Sequence, residues 1–120
     1  MVLAAALASQ AGCALLGGGG EPRETPQEAQ ARADRQLAIQ REVEARLAAE
    51  PSIGAGKIRA VVNGGDVQLH GAAPGFGALQ CALANAALVP GVQLVVDFMV
   101  LQPGPSKVNC LAPRVFAVTP

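Results

Sequence analysis

Three cysteines and one histidine are the residues of this chain best suited to covalent or metal chemistry. Cys81 and Cys110 would enclose a loop of about 30 residues, and an oxidising compartment would let them pair. In the loop-entropy description such a bridge contributes roughly 3 to 4 kcal/mol to stability. The alternative is one buried thiol and one incidental thiol. No metal site is predicted, because C-x-x-C spacing is absent and the chain has a single histidine.

The sequence predicts neither a pair of catalytic carboxylates nor a phosphate-binding loop. His70 stands alone on an expected strand, and an isolated histidine of this kind is usually solvated. Asp66 and Asp97 are the only carboxylates of the sheet region, and nothing indicates the cleft that a general acid and base need. Gly64-Gly65 is followed by a strand pattern, whereas a phosphate loop is followed by a helix. The sequence therefore predicts a non-enzymatic protein without a cofactor.

Cys13 follows an apolar run from Val2 to Ala8 and two small residues, a pattern that resembles a bacterial lipoprotein signal. Gln10 stands where leucine is usual, and no Lys or Arg precedes the cysteine. We expect residues 1–12 to be a signal peptide, Cys13 to be lipidated, and residues 13–30 to form a Gly-rich, charged tether. A membrane span is less favoured, because it needs about 20 apolar residues. The alternative is an Ala-rich helix or tail with an incidental cysteine.

The elements that would position these residues begin with a long helix. Thr25, Pro26 and Glu28 have the spacing of a capping residue, a first-turn proline and a capping-box acid. Glu50-Pro51 predicts its end, since a residue before proline is pushed out of the helical region. The second half of this helix carries an apolar face for packing on a sheet, formed by Ile39, Val43 and Leu47.

Three strand patterns follow the helix, and each alternates with a period of two. The first two are joined by NGGD at 63–66, which favours a tight hairpin. A helix pattern and a Pro-Gly turn separate the second strand from the third. The predicted inward stripe of the third strand is Leu94, Val96, Phe98 and Val100, preceded by Val92, with Asp97 on the outward side. The inward residues of the other two strands are Ile58, Ala60, Val62, Val67 and Leu69.

Residues 34–101 resemble the BON domain (bacterial OsmY and nodulation) family. The family pattern of spaced apolar positions, a hairpin closed by glycine and a V-x-G-V segment corresponds here to Val67, Leu69, Gly71 and VPGV at 89–92. The resemblance implies an α+β fold, a single small αββαβ domain with a three-stranded mixed sheet and two helices packed on one face. We place this domain at residues 31–102 and a C-terminal extension at 103–120. The family role that follows is that of a periplasmic, membrane-associated module.

The second predicted helix is uncharged, since no Asp, Glu, Lys or Arg lies between Asp66 and Asp97. One interpretation is that the C-terminal extension covers it, with Val115, Phe116 and Val118 held there by the disulfide. The other is a contact surface for a membrane or a partner protein, because large exposed apolar patches mark contact sites. The residues predicted for such contact are Phe76, Leu79 and Leu83, with Lys57 and Arg59 as nearby cations.

The composition of the chain argues against nucleic acid as a partner. Nine basic residues balance nine acidic ones, and Trp and Tyr are absent, so the basic stripe and stacking platform of nucleic-acid binding are missing. Two hypotheses remain. The first is a module anchored by lipid on the periplasmic side of the bacterial outer membrane, whose domain contacts phospholipid. The second is a protein-interaction or ring-assembly module of an envelope or secretion complex.

Overall fold

A computed structural model describes residues 23–113 of the chain. In sequence order the elements are helix α1 (Pro26–Ala49), strand β1 (Ile58–Asn63), strand β2 (Asp66–Pro74), helix α2 (Phe76–Ala87) and strand β3 (Leu94–Gln102). The sheet order is β1-β2-β3, with β1 antiparallel to β2 and β2 parallel to β3. The predicted αββαβ fold with a mixed three-stranded sheet is therefore confirmed.

Helix α1 begins and ends where its capping residues predict. The Thr25 side chain accepts a hydrogen bond from the Glu28 amide at 3.1 Å, and the Glu28 carboxylate accepts one from the Thr25 amide at 2.9 Å. Pro26 occupies the first turn, and the helix ends at Glu50, whose backbone is extended. Only the second half of α1 is buried, at Val43 and Leu47.

Both helices pack on one face of the sheet, and the hydrophobic core lies between the helices and this face. The residues of α1 that enter it are Val43 and Leu47. The uncharged helix α2 contributes small side chains, which let it lie close to the sheet. The buried strand residues are Ile58, Ala60, Val67 and Leu69.

The predicted inward stripe of β3 is wrong for its four strand residues. Val67 is buried and pairs in register with Val95, while Asp66 pairs with Leu94. Partners in register share a face, so Val95 and Met99 pack against the core. Leu94, Val96, Phe98 and Val100 consequently lie on the opposite, helix-free face. Strand β3 is apolar on both faces, so alternation alone could not assign its inward side.

On each of the two outer strands, one backbone N–H donates a hydrogen bond to a side-chain carboxylate. Glu44 of α1 accepts a hydrogen bond from the Ala60 amide of β1 at 2.9 Å. Asp97 of β3 accepts one from the Met99 amide at 2.8 Å. Unpaired edge amides are a template for pairing with another strand, so both contacts protect the sheet edges.

Candidate functional site

The C-terminal extension is fastened across α2 by a disulfide between Cys81 and Cys110, with a Cα–Cα distance of 5.7 Å. The predicted pairing is therefore confirmed. We call residues 104–112 the strap. Its first contact with α2 is a hydrogen bond of 3.1 Å from the Gly77 amide to the Pro105 carbonyl. A Cβ at Gly77 would come within 3.0 Å of Val108, so glycine is what permits this close approach.

A buried carboxylate holds the far end of the strap. Glu50 is 1% exposed and accepts hydrogen bonds from the backbone amides of Leu111 at 3.0 Å and Ala112 at 3.1 Å. The side-chain amide of Asn85, on α2, donates to the same carboxylate at 2.9 Å and to the Cys81 carbonyl at 2.9 Å. Glu50 thus joins the end of α1, helix α2 and the strap. Nothing in the sequence pattern marked it, beyond its position before Pro51.

Glu50, Cys81 and Cys110 are residue types that bind metals, but here their ligand atoms are engaged in other contacts. The ligand atoms of Glu50, Cys81 and Cys110 lie within 4.8 Å of one another. Metal-binding cysteines are thiolates, and here the two sulfurs are joined to each other. The Glu50 oxygens already accept three N–H groups. The arrangement is a structural fastening of the strap.

The strap, the sheet and α1 together explain why α2 carries no charge. Eight of its twelve residues are buried. The predicted cover by Val115, Phe116 and Val118 lies outside the described residues, as does the predicted lipidation site Cys13. The cover that the structure describes is the earlier segment 104–112.

Phe76, at the first position of α2, is 49% exposed. It follows the end of β2, where the Ala72 amide donates to the Lys57 carbonyl at 3.3 Å. The backbone of Lys107, in the strap, lies against Gly77, the next residue of α2. Leu101, near the end of β3, is 55% exposed at the same end of the sheet. These four exposed residues, Lys57, Phe76, Leu101 and Lys107, form what we call the basic tip.

The other residues predicted for membrane or partner contact lie elsewhere. Leu79 is only 8% exposed, so the exposure expected of it is wrong: its side of α2 faces the interior. Leu83 is half-buried and lines an open groove of about 330 Å³ between α2 and β3. Arg59 is exposed on the helix-free face of the sheet, one residue after the buried Ile58. The sequence missed Lys107 and Leu101, because they reach the tip only through the strap and the parallel register of β3.

His70 is neither isolated nor fully solvated, contrary to expectation. Its ring stacks on Phe98 with centroids 5.2 Å apart and an interplanar angle of 6°. Its Nε2 lies 3.1 Å from the Gln68 side-chain oxygen. The register of β2 and β3 places His70 beside Phe98 on the helix-free face. Within residues 23–113 no carboxylate, serine or cysteine forms a hydrogen bond with this ring.

The fold is that of a small α+β domain with two helices on one face of a three-stranded mixed sheet. The family model described as BON domain matches residues 36–103, which is more than half of the chain. The chain therefore belongs to the BON domain family. No curated protein shows significant similarity to it. Across the part of the chain that the structure describes, none of the helices is long and apolar enough to cross a membrane.

Proposed function

We propose that this protein is a non-enzymatic module of the bacterial cell envelope that is anchored by an acylated Cys13 and contacts membrane phospholipid through its basic tip. The observation that carries the proposal is the tip itself, where two apolar and two basic residues are exposed at one end of the sheet, namely Phe76, Leu101, Lys57 and Lys107. Membership of the BON domain family supports it, because the resemblance implies a periplasmic, membrane-associated role.

The chemistry of the tip suits an anionic bilayer surface. Apolar side chains such as Phe76 gain free energy in the interfacial region, and lysines beside them are attracted to anionic headgroups by about 1 kcal/mol each. The exposed acidic residues of the described strands lie away from this end, Asp66 beside the hairpin and Asp97 midway along β3. The tip therefore has a local positive charge on a chain whose formal net charge is zero.

The direction of α1 limits how an anchored chain can touch its membrane. Gly91, at the hairpin end of the sheet, lies against Ile39, whereas Glu50 is fastened to the strap, which starts at the tip. The start of α1 therefore points away from the tip, and 24 helical residues span about 36 Å. About twelve residues of Gly-rich chain have an r.m.s. reach of about 20 Å, which is shorter than this helix. We infer that an anchored chain lies with α1 along the bilayer surface when its tip is in contact.

Vesicle binding tests the phospholipid contact directly. We would use the full chain with Cys13→Ser, so that acylation does not mask the domain, and vesicles of phosphatidylethanolamine with and without phosphatidylglycerol. We expect binding only with the anionic lipid, weakened by salt because exposed charges are screened. Lys57→Glu with Lys107→Glu, or Phe76→Asp, should lower binding at least tenfold.

Phe98→Asp is the matched control, because Phe98 is 53% exposed and lies on the helix-free face, three residues before the tip residue Leu101. It should bind vesicles like the parent chain. Equal binding by all variants would reject the tip as the contact site.

The lipid anchor is tested by the intact mass of the protein in the envelope fraction of its native host. This mass should correspond to a chain that begins at acylated Cys13. A mass that retains Met1 without acyl groups would reject it.

A further inference from the structure

The sheet face opposite the helices, which we call the outer face, has no cover from any element within residues 23–113. Four large apolar residues on it are between 50% and 64% exposed, namely Val61, Leu94, Phe98 and Val100. Three of them, Leu94, Phe98 and Val100, lie on the same side of β3, and an exposed apolar patch of this kind marks a contact site. The basic tip does not include it, so the proposed phospholipid contact leaves this face unexplained.

The charged residues of the outer face indicate what kind of partner it fits. Arg59 and Asp66 are its charged strand residues, and Arg59 pairs with His70, four residues along β2 from Asp66. Three register rows cross the face: Arg59 with His70 and Phe98, then Val61 with Gln68 and Val96, then Asn63 with Asp66 and Leu94. A cation and an anion on the two rows that flank the central row make a surface that is complementary to itself. A membrane surface of net negative charge would repel Asp66.

We propose that the outer face is a homodimer interface in which two copies of this chain stack sheet on sheet about a two-fold axis. The axis runs across the strands through the central row of Val61, Gln68 and Val96. Such a rotation exchanges the two flanking rows, so Phe98 of one copy packs on Leu94 of the second copy. Asp66 of the second copy then faces His70 and lies one strand away from Arg59. A two-fold interface uses the same patch on both copies, which is what this arrangement requires.

The small area of the outer face indicates that the contact between the two copies is weak. Three strands of six, nine and nine residues, about 4.8 Å apart with a rise of about 3.3 Å per residue, give roughly 400 Å² of projected area per copy. Stable interfaces bury about 800 Å² per partner, and transient ones fall below about 600 Å². The dimer is therefore expected to be a weak, transient one.

Charge reversal gives the sharpest test, by sedimentation velocity on the full Cys13→Ser chain over a concentration series that approaches the millimolar range. Arg59→Glu and Asp66→Arg should each weaken dimerisation at least tenfold, because each places like charges on neighbouring strands across the interface. An equimolar mixture of the two single variants should dimerise again, since both cross-contacts then join opposite charges. The double variant should also dimerise like the parent.

Phe98→Asp should abolish dimerisation, whereas Phe76→Asp is its matched control and should leave it unchanged. A parent chain that stays monomeric at the highest concentration overturns the proposal. So does a mixture of the two charge variants that stays monomeric, which would show that residues 59 and 66 do not meet across the interface. If Phe98→Asp lost vesicle binding while Phe76→Asp kept it, the outer face would be the lipid contact. That result would overturn both the dimer and the basic tip as the lipid-binding site. It would not bear on the lipid anchor, which the intact mass tests.

Discussion

Glu50 and Asn85 share a hydrogen bond of 2.9 Å although 35 residues separate them, and both side chains are almost completely buried. The same carboxylate receives the backbone amides of Leu111 and Ala112. A buried carboxylate is costly unless its oxygens are hydrogen-bonded, and here three N–H groups meet that need. The strap is therefore held at two points, by the disulfide and by Glu50.

Replacing Glu50 with alanine should lower the free energy of unfolding by about 3 kcal/mol, because each buried donor left without a partner costs about 1 to 3 kcal/mol. Glu50→Gln keeps one acceptor oxygen and should lose about half as much. Urea denaturation with the disulfide intact measures both. Glu42→Ala is the control, since that carboxylate is 48% exposed on α1. An equal loss in all three variants would contradict the fastening role of Glu50.

Removing the disulfide should destabilise the domain without unfolding the rest of the core. The bond joins residues 29 apart in sequence, and the loop-entropy description gives about 3 to 4 kcal/mol. We expect a reducing agent to lower the melting temperature of the parent chain clearly. The double variant Cys81→Ser with Cys110→Ser should melt at the lower temperature with or without reductant. A parent chain indifferent to reductant would show that the bond does not form in solution.

Gly71 is required by the hairpin for two reasons that act together. Its φ is +130°, and a Cβ there would overlap the carbonyl oxygen of Lys57 in the neighbouring strand. Gly71→Ala should therefore cost about 3 kcal/mol or more in urea denaturation, through backbone strain and displacement of β1. Gly64 in the hairpin turn has a φ of +64° and open space around it. Gly64→Asn should change stability by less than about 1 kcal/mol, because asparagine accepts that conformation.

The sequence predicted those elements whose signals are local. Thr25 and Glu28 are three residues apart and form the capping box wherever the rest of the chain goes. The turn at 63–66 likewise needs only its own glycines. These features were correct because propensity, capping and alternation all favour the same local conformation.

Features that depend on register or on distant contacts could not be predicted. The inward side of β3 is set by the pairing of Leu94 with Asp66, and the Gln93 amide donates to the Gly65 carbonyl at 2.7 Å just before that pairing begins. A one-residue shift would exchange its two apolar faces, so composition could not decide between them. Leu79 was assigned to an exposed stripe for a similar reason, since α2 is apolar on every side and only the strap and sheet show which sides are covered.

The start of α1 should lose helical structure on acidification. The hydrogen bonds from Arg32 to Glu24, both 2.9 Å, hold the pKa of Glu24 below its ordinary value of 4.5, assisted by the charges of Arg32 and Arg35. A lowered pKa in the folded state means that the contact stabilises at pH values above 4.5 and that its contribution is lost as the pH falls through the folded pKa.

Amide chemical shifts of residues 24–29, followed by NMR from neutral pH to pH 3, should show fraying with a midpoint below 4.5. Glu24→Gln should remove that step, because it leaves no carboxylate to titrate, and should show the frayed shifts already at neutral pH. The effect should be small and should weaken in salt, since both side chains are exposed. Fraying of the same size and midpoint in Glu24→Gln would assign the transition to other carboxylates of α1.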